Sequence, residues 1–136
     1  MPVDSLMEHQ RTWIDGLNRG DVSAADHVFL PDCIVHVTGV GEPFRGVGPW
    51  KDFIGVFLKA FPDLHVTVED QVVQGDRVAF RWSATGTQTG PLGPAPATGK
   101  RVAIDGLVID RVVGGKVHER WEQLDQSLML QQLGFA

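Results

Sequence analysis

Apolar and polar positions keep one rhythm up to Pro62 and another beyond it. Near the start, Leu6, Trp13, Ile14 and Leu17 recur at near-helical spacing, which predicts an amphipathic helix. Asp4 or Ser5 can cap it, with Glu8 completing a capping box after Ser5, and Gly20 ends it. Asp21 is placed to cap a short second helix over 22–30, which Pro31 would terminate. The β-branched run 33–39 reads as a strand. Then comes a helix with clear punctuation, Pro49 in its first turn and Pro62 just past its end. Its residues Trp50, Phe53, Ile54, Phe57, Leu58 and Phe61 form a broad apolar stripe that must lie against a large surface.

Beyond Pro62 the pattern alternates. Strands are expected over 64–74, 77–90, 101–113 and 116–125, with Gly75-Asp76 and Gly114-Gly115 as turns. A Pro/Gly loop fills 91–100, and a short helix closes the chain at 126–134. Helices first and an antiparallel sheet afterwards make an α+β domain spanning 1–136. A curved sheet wrapped around the N-terminal helices would leave a cone-shaped cavity.

Composition narrows what such a cavity could serve. A 43% hydrophobic content with seven Phe and four Trp predicts a packed interior. The net charge is −5 and the basic residues are scattered, which argues against a nucleic-acid partner. A single cysteine, Cys33, allows no internal disulfide and no thiolate metal cluster, and the five histidines lack zinc-site spacing. The N-terminal residues do not read as a signal peptide, and no apolar run is long enough to span a membrane. The expectation is a soluble, cytoplasmic protein.

The last hairpin carries the candidate chemistry. Side chains alternate faces along a strand. On the last strand one set is Val117, Glu119, Trp121, Gln123 and Asp125, and the other, more polar set is His118, Arg120, Glu122 and Leu124. The odd-numbered set is therefore expected to face the helices. A plain two-residue turn would pair Val113 with Lys116 and turn Ile104, Val108, Asp110 and Val112 inward as well. A bulge at the glycines would instead turn Asp105, Leu107, Ile109 and Arg111 inward. The bulged register is favoured because Arg111 would compensate a partly buried Glu119. Asp125 then has two readings: a cap for the final helix, or a pocket acid whose raised pKa suits proton abstraction beside a carbonyl.

The segments Gly86-Thr87-Gln88-Thr89-Gly90, Ala97-Thr98-Gly99-Lys100, Arg111, Gly115-Lys116-Val117, Glu119-x-Trp121, Asp125 and Gln132-Leu133-Gly134, with FRGVGPWKDFIGVFLKAFPDL upstream, resemble the SnoaL-like polyketide (ester) cyclase family. That family lies within the nuclear transport factor 2-like superfamily. The resemblance covers most of the chain from about Asp32 onward. It implies a cone-shaped α+β barrel of the nuclear transport factor 2-like, cystatin-like kind, with a hydrophobic pocket and usually a homodimer. It also implies intramolecular aldol ring closure without metal or organic cofactor, with an aspartate, here Asp125, as acid/base. One position departs from the pattern: Gln88 stands where the family has His, and Gln cannot exchange a proton near neutral pH.

The expected reading is a cofactor-independent acid/base enzyme acting on a small apolar carbonyl compound. Asp125 would be its base, and His36 or Gln88 would steady the enolate oxygen. Arg111, Glu119 and Trp121 would serve the same pocket, walled by Trp82, Trp50, Phe53 and Phe57. Two alternatives stand beside it: an isomerase or epoxide hydrolase, for which Asp105, Arg111 and Asp125 would have to converge on one water, or a non-catalytic small-ligand-binding domain.

Overall fold

The computed structural model describes residues 3–135, with side chains from residue 7 onward. Helix α1 (Val3–Asn18) leads through a short 3-10 turn (Val22–Ala24) and one helical turn, α2 (Ala25–Val28), into strand β1 (Phe29–Val37). A two-residue strand β2 (Phe44–Arg45), helix α3 (Val47–Ala60), strands β3 (His65–Gln74), β4 (Arg77–Thr87), β5 (Arg101–Val113) and β6 (Lys116–Leu124), and helix α4 (Gln126–Leu133) complete the chain. The strands form one sheet in the order β2-β1-β6-β5-β4-β3. Every neighbouring pair is antiparallel except β1 and β6, which run parallel. The fold is α+β, with a curved open sheet packed on helices, as expected.

Local chemistry explains most boundaries. Asp21 caps the 3-10 turn by accepting a hydrogen bond from the Ser23 backbone N–H at 3.0 Å. The expected caps Asp4 and Ser5 lie outside the described side chains. Gly114 and Gly115, at φ 61° and 78°, make the two-residue turn that pairs Val113 with Lys116. Such a turn needs positive φ at both positions, and glycine adopts it without steric cost.

Two boundaries differ from expectation. Pro31 does not end the second helix, which stops at Val28; it lies inside β1. The register between β1 and β6 slips between Phe29 and Ile34, so the missing proline N–H falls where the ladder is interrupted. The sequence also gave no sign of β2, because two residues are too few for a pattern.

The faces of the last hairpin also differ from expectation. On β5 the even residues Val102, Gly106, Val108, Asp110 and Val112 are buried, while Arg101, Ala103, Asp105, Leu107 and Ile109 are exposed. The bulge exists, but it lies in β6 between the Val112–Val117 and Arg111–Glu119 pairs rather than at the glycines. His118 is the extra residue. Beyond it the parity of β6 flips, so Arg120, Glu122 and Leu124 face the helices and Glu119, Trp121 and Gln123 face away. The core lies between this concave face and α1 and α3, centred on Trp13, Phe29, Val35, Trp50, Val78, Phe80, Val108 and Val117.

Candidate active site

The concave face and the helices enclose a cavity of about 100 Å³. Trp13, Trp50, Phe53, Phe57, Phe80 and Trp82 supply its aromatic wall. The apolar stripe of α3 covers one side, while Met129 of α4 and Leu64 help to close it. Into this greasy space project two charged residues, Arg120 and Glu122, both from β6.

Their surroundings fix their charge states. Arg120 is 1% exposed and forks onto Asp110 of the neighbouring strand, Nε donating to Oδ1 at 2.7 Å and Nη2 to Oδ2 at 2.8 Å. His9 of α1 donates from Nε2 to the same Oδ2 at 3.0 Å. Burial opposes the ionisation of Asp110, but the Arg120 guanidinium and these hydrogen bonds overcome it and hold the carboxyl below its usual value. Burial likewise opposes the charge of Arg120, and Asp110 restores it, leaving its pKa raised. The guanidinium further lies over the rings of Phe29 and Phe80 at 5.0 and 5.6 Å.

Glu122 has no such fork. Its side chain is 13% exposed and its Oε1 lies 3.6 Å from Arg120 Nη1. Burial pushes its pKa up; Arg120 pulls it back, and the charge of Asp110 adds to the rise. The result is a carboxyl with a raised pKa in an apolar cavity, beside a guanidinium whose charge is largely committed elsewhere. That is an arrangement suited to a general base for carbon acids: a carboxyl whose proton affinity is raised by an apolar setting.

The expected wall is in place: Trp50, Phe53, Phe57 and Trp82 all line the cavity. The expected polar residues lie elsewhere. Asp125 is exposed and caps α4, its Oδ1 accepting from the Leu128 N–H at 2.9 Å. It borders a separate, more open depression of about 640 Å³ with Arg81, Asp105 and Gln126. Gln88 is fully buried, but its amide holds the Pro/Gly loop: Nε2 donates to Pro96 O at 3.1 Å, and Oε1 accepts from Thr98 N at 3.2 Å and Thr98 Oγ1 at 2.7 Å. Glu119 and Trp121 follow the flipped parity of β6 onto the outer face, where His36 of β1 and Arg111 of β5 lie beside them. There Glu119 Oε2 lies 2.7 Å from His36 Nε2, and His36 stacks on Trp121 with ring centroids 5.4 Å apart. Arg77 lies over Trp121 at 5.2 Å. Arg111 sits opposite Glu119 in register, yet the close partner of Glu119 is His36. Asp105 and Arg111 are six residues apart on one strand, about 20 Å, so with Asp125 they do not converge on a single water.

Sequence reasoning missed Glu122, Arg120 and His9, and set aside the plain-turn register that turns Asp110 inward, which is the face the structure gives it. A signal for Asp110 exists. It shares parity with Val102, Ile104, Val108 and Val112, so an acid stands in an otherwise apolar inward row. Such an acid demands a buried cation, and Arg120 is paired with it across the hairpin.

Comparison with known proteins bears on the family and the fold. The profile of the SnoaL-like polyketide cyclase family matches residues 7–133. Among solved structures, the chain is similar to IdmH of Streptomyces antibioticus, a proposed polyketide cyclase. The two share 30% identity and a TM-score of 0.83, over 95% of this chain and 98% of that one. AclR of Streptomyces galilaeus, a proposed hydroxylase, is 28% identical with a TM-score of 0.83, over 96% of this chain and 87% of that one. A Catenulispora acidiphila protein with a ketosteroid isomerase-like fold, 17% identical, has a TM-score of 0.80 over 95% of this chain and 94% of that one; it bears on the fold alone. No curated protein sequence matches the chain.

Proposed function

The chain belongs to the SnoaL-like polyketide cyclase family, and on that premise we propose that it closes a ring in a small polyketide-like carbonyl compound by intramolecular aldol condensation, with Glu122 rather than Asp125 as the acid/base. The observation that carries the reading is the Glu122 carboxyl, 13% exposed and with a raised pKa, in a wall otherwise apolar but for Arg120.

The steps balance within the chain's own groups. The Glu122 carboxylate takes a proton from carbon beside a carbonyl, leaving an enolate. The enolate carbon attacks a second carbonyl carbon of the same molecule, forming one carbon–carbon bond. The new alkoxide takes the proton back from the Glu122 carboxyl, so no oxidant or co-reactant is consumed. The apolar wall folds the chain of the substrate so that the reacting carbons meet, and it keeps water from quenching the enolate. Arg120 stays on Asp110 and limits how far the pKa of Glu122 rises. A homodimer and a cytoplasmic setting belong to the same reading. The outer face of the sheet, where Leu107, Ile109 and Val113 are exposed, is the proposed contact.

The test is proton exchange, the first step alone. Acetophenone in deuterated buffer should lose its methyl proton signal faster with the protein than without. Glu122→Gln should cut the protein-dependent rate by about 10²–10⁴-fold. Binding of acetophenone without any exchange would instead favour the non-catalytic ligand-binding reading, and exchange that survives in Glu122→Gln would remove Glu122 from the mechanism.

A further inference from the structure

Enolate chemistry needs a donor at the oxygen as well as a base at the carbon. His36 and Gln88, the polar groups the sequence offers for that task, are outside the cavity. Its wall nevertheless holds an unused donor. Trp82 is 7% exposed, and its indole N–H is buried with no hydrogen-bond partner among the described residues. Burying such a group unpaired is unfavourable, so native structures rarely tolerate it without a reason. The Trp50 N–H is also unpartnered among the described residues, but that indole is packed among the rings of Trp13, Phe29, Phe44 and Phe53, with centroids 5.8–6.1 Å away. Trp82 is placed differently. Its ring lies across Gly106 of the next strand: a Cβ there would come within 2.4 Å of Cζ2 and 2.6 Å of Cε2, the carbon bonded to Nε1. The absent side chain at Gly106 is what lets the indole lie over β5, toward β6. Trp82 pairs with Gly106 and Gly106 with Leu124, while Phe80 pairs with Val108 and Val108 with Glu122. The indole and the Glu122 carboxyl thus occupy adjacent inward rows of the same sheet, both on the cavity wall.

We infer that the Trp82 indole N–H is the oxygen-binding donor of this cavity, taking a carbonyl oxygen of the ligand and the negative charge that develops there when the neighbouring carbon loses its proton. The inference deepens the proposed function by assigning its second polar contact. It sets a ligand class as well: apolar molecules bearing a ketone or ester carbonyl should be preferred over hydrocarbons of the same shape, because only the former pair the buried N–H.

Acetophenone and α-methylstyrene provide that contrast, since a carbonyl oxygen in one replaces a methylene in the other. With ¹⁵N-indole-labelled protein, the Trp82 N–H resonance, assigned by its loss in Trp82→Phe, should move downfield with acetophenone and not with α-methylstyrene. The wild type should bind the ketone at least 10-fold more tightly, and Trp82→Phe, which keeps a ring over Gly106, should bind the two equally. An unmoved Trp82 resonance, a ketone preference that persists in Trp82→Phe, or a wild type that takes up no acetophenone at its solubility limit would each overturn the assignment. Should Trp82→Phe fail to fold, the wild-type spectra decide alone, with the resonance assigned through Trp50→Phe and the other two single tryptophan replacements. Glu122→Gln separates this from the base assignment: it should lose exchange while keeping the ketone preference and the indole shift.

Discussion

The two faces of β6 carry the same ingredients to opposite ends. Outside the cone, Glu119 meets His36, a cation when protonated, over Trp121, with the two charged side chains 26% and 38% exposed. Inside, Glu122 meets Arg120 among Trp13, Phe29 and Phe80, with 13% and 1% exposure. Each is an acid–base pair on aromatic rings. Water screens the first, so its groups gain little from each other. The second is dry. There a charge must be paired, or its proton affinity must change. Asp110 is paired and Glu122 is not fully so, and that asymmetry produces a fixed ion pair beside a titrating acid. Chemistry on this strand is decided by which face a residue points to, not by which residue it is.

The largest expected effect tests that difference directly. Asp110→Asn leaves the Arg120 guanidinium buried without its fork and removes the acceptor of His9. It should cost about 3–5 kcal/mol in urea unfolding, the usual penalty for stranding a buried charge. A loss below about 1 kcal/mol, the scale of a screened surface pair, would mean that the inner face is far wetter than its burial implies.

A smaller effect, readable as a slope, belongs to Glu122. Its folded pKa is raised above the ordinary value of about 4.3. The folded protein therefore holds this proton to higher pH than the unfolded chain does, and stability falls as pH rises between the ordinary value and the raised one. Asp110 works in the opposite sense: its lowered pKa contributes stability that is lost as pH falls through that value. Subtracting two curves isolates Glu122. Thermal unfolding against pH should show Glu122→Gln gaining on the wild type as pH climbs through this window, then holding a constant advantage. The exchange rate should have its acid limb in the same window, because only the carboxylate is a base. Parallel melting curves would place Glu122 in water and remove its claim to the chemistry.

How far the sequence could be read depends on the same hairpin. Periodicity located the long helices, the four long strands after Pro62 and the aromatic wall from α3, because each is a local pattern repeated over many residues. The glycine pair announced its turn for the same reason. The bulge at His118 left no such mark. One inserted residue in β6 reverses every side chain beyond it, so a reading that took Glu119 and Trp121 as inward put them where Arg120 and Glu122 stand and left Glu122 unnoticed. Composition argued for that error, since Arg120 and Glu122 look solvent-bound until Asp110 is seen to be buried as well. Gln88 was singled out by motif, which does not distinguish a residue that holds a loop from one that meets a ligand, and Asp125 by its place after the last strand, where of its two readings, cap or pocket acid, the cap is the one seen.

Asp125 and Glu119 give the smallest effects and complete the contrast. Asp125 satisfies one N–H at the start of α4 and nothing else is asked of it, so Asp125→Ala should cost about 1 kcal/mol and leave acetophenone exchange unchanged. Glu119→Gln should fall within about 0–1 kcal/mol, and added salt should shrink even that. Exchange rates measured beside each unfolding curve carry the weight here. Outer-face substitutions should move stability slightly and the rate not at all, whereas Glu122→Gln should abolish the rate in a protein that remains folded. Loss of exchange in Asp125→Ala, with melting unchanged, would return the base to the rim of the sheet and make the apolar cavity a binding chamber only.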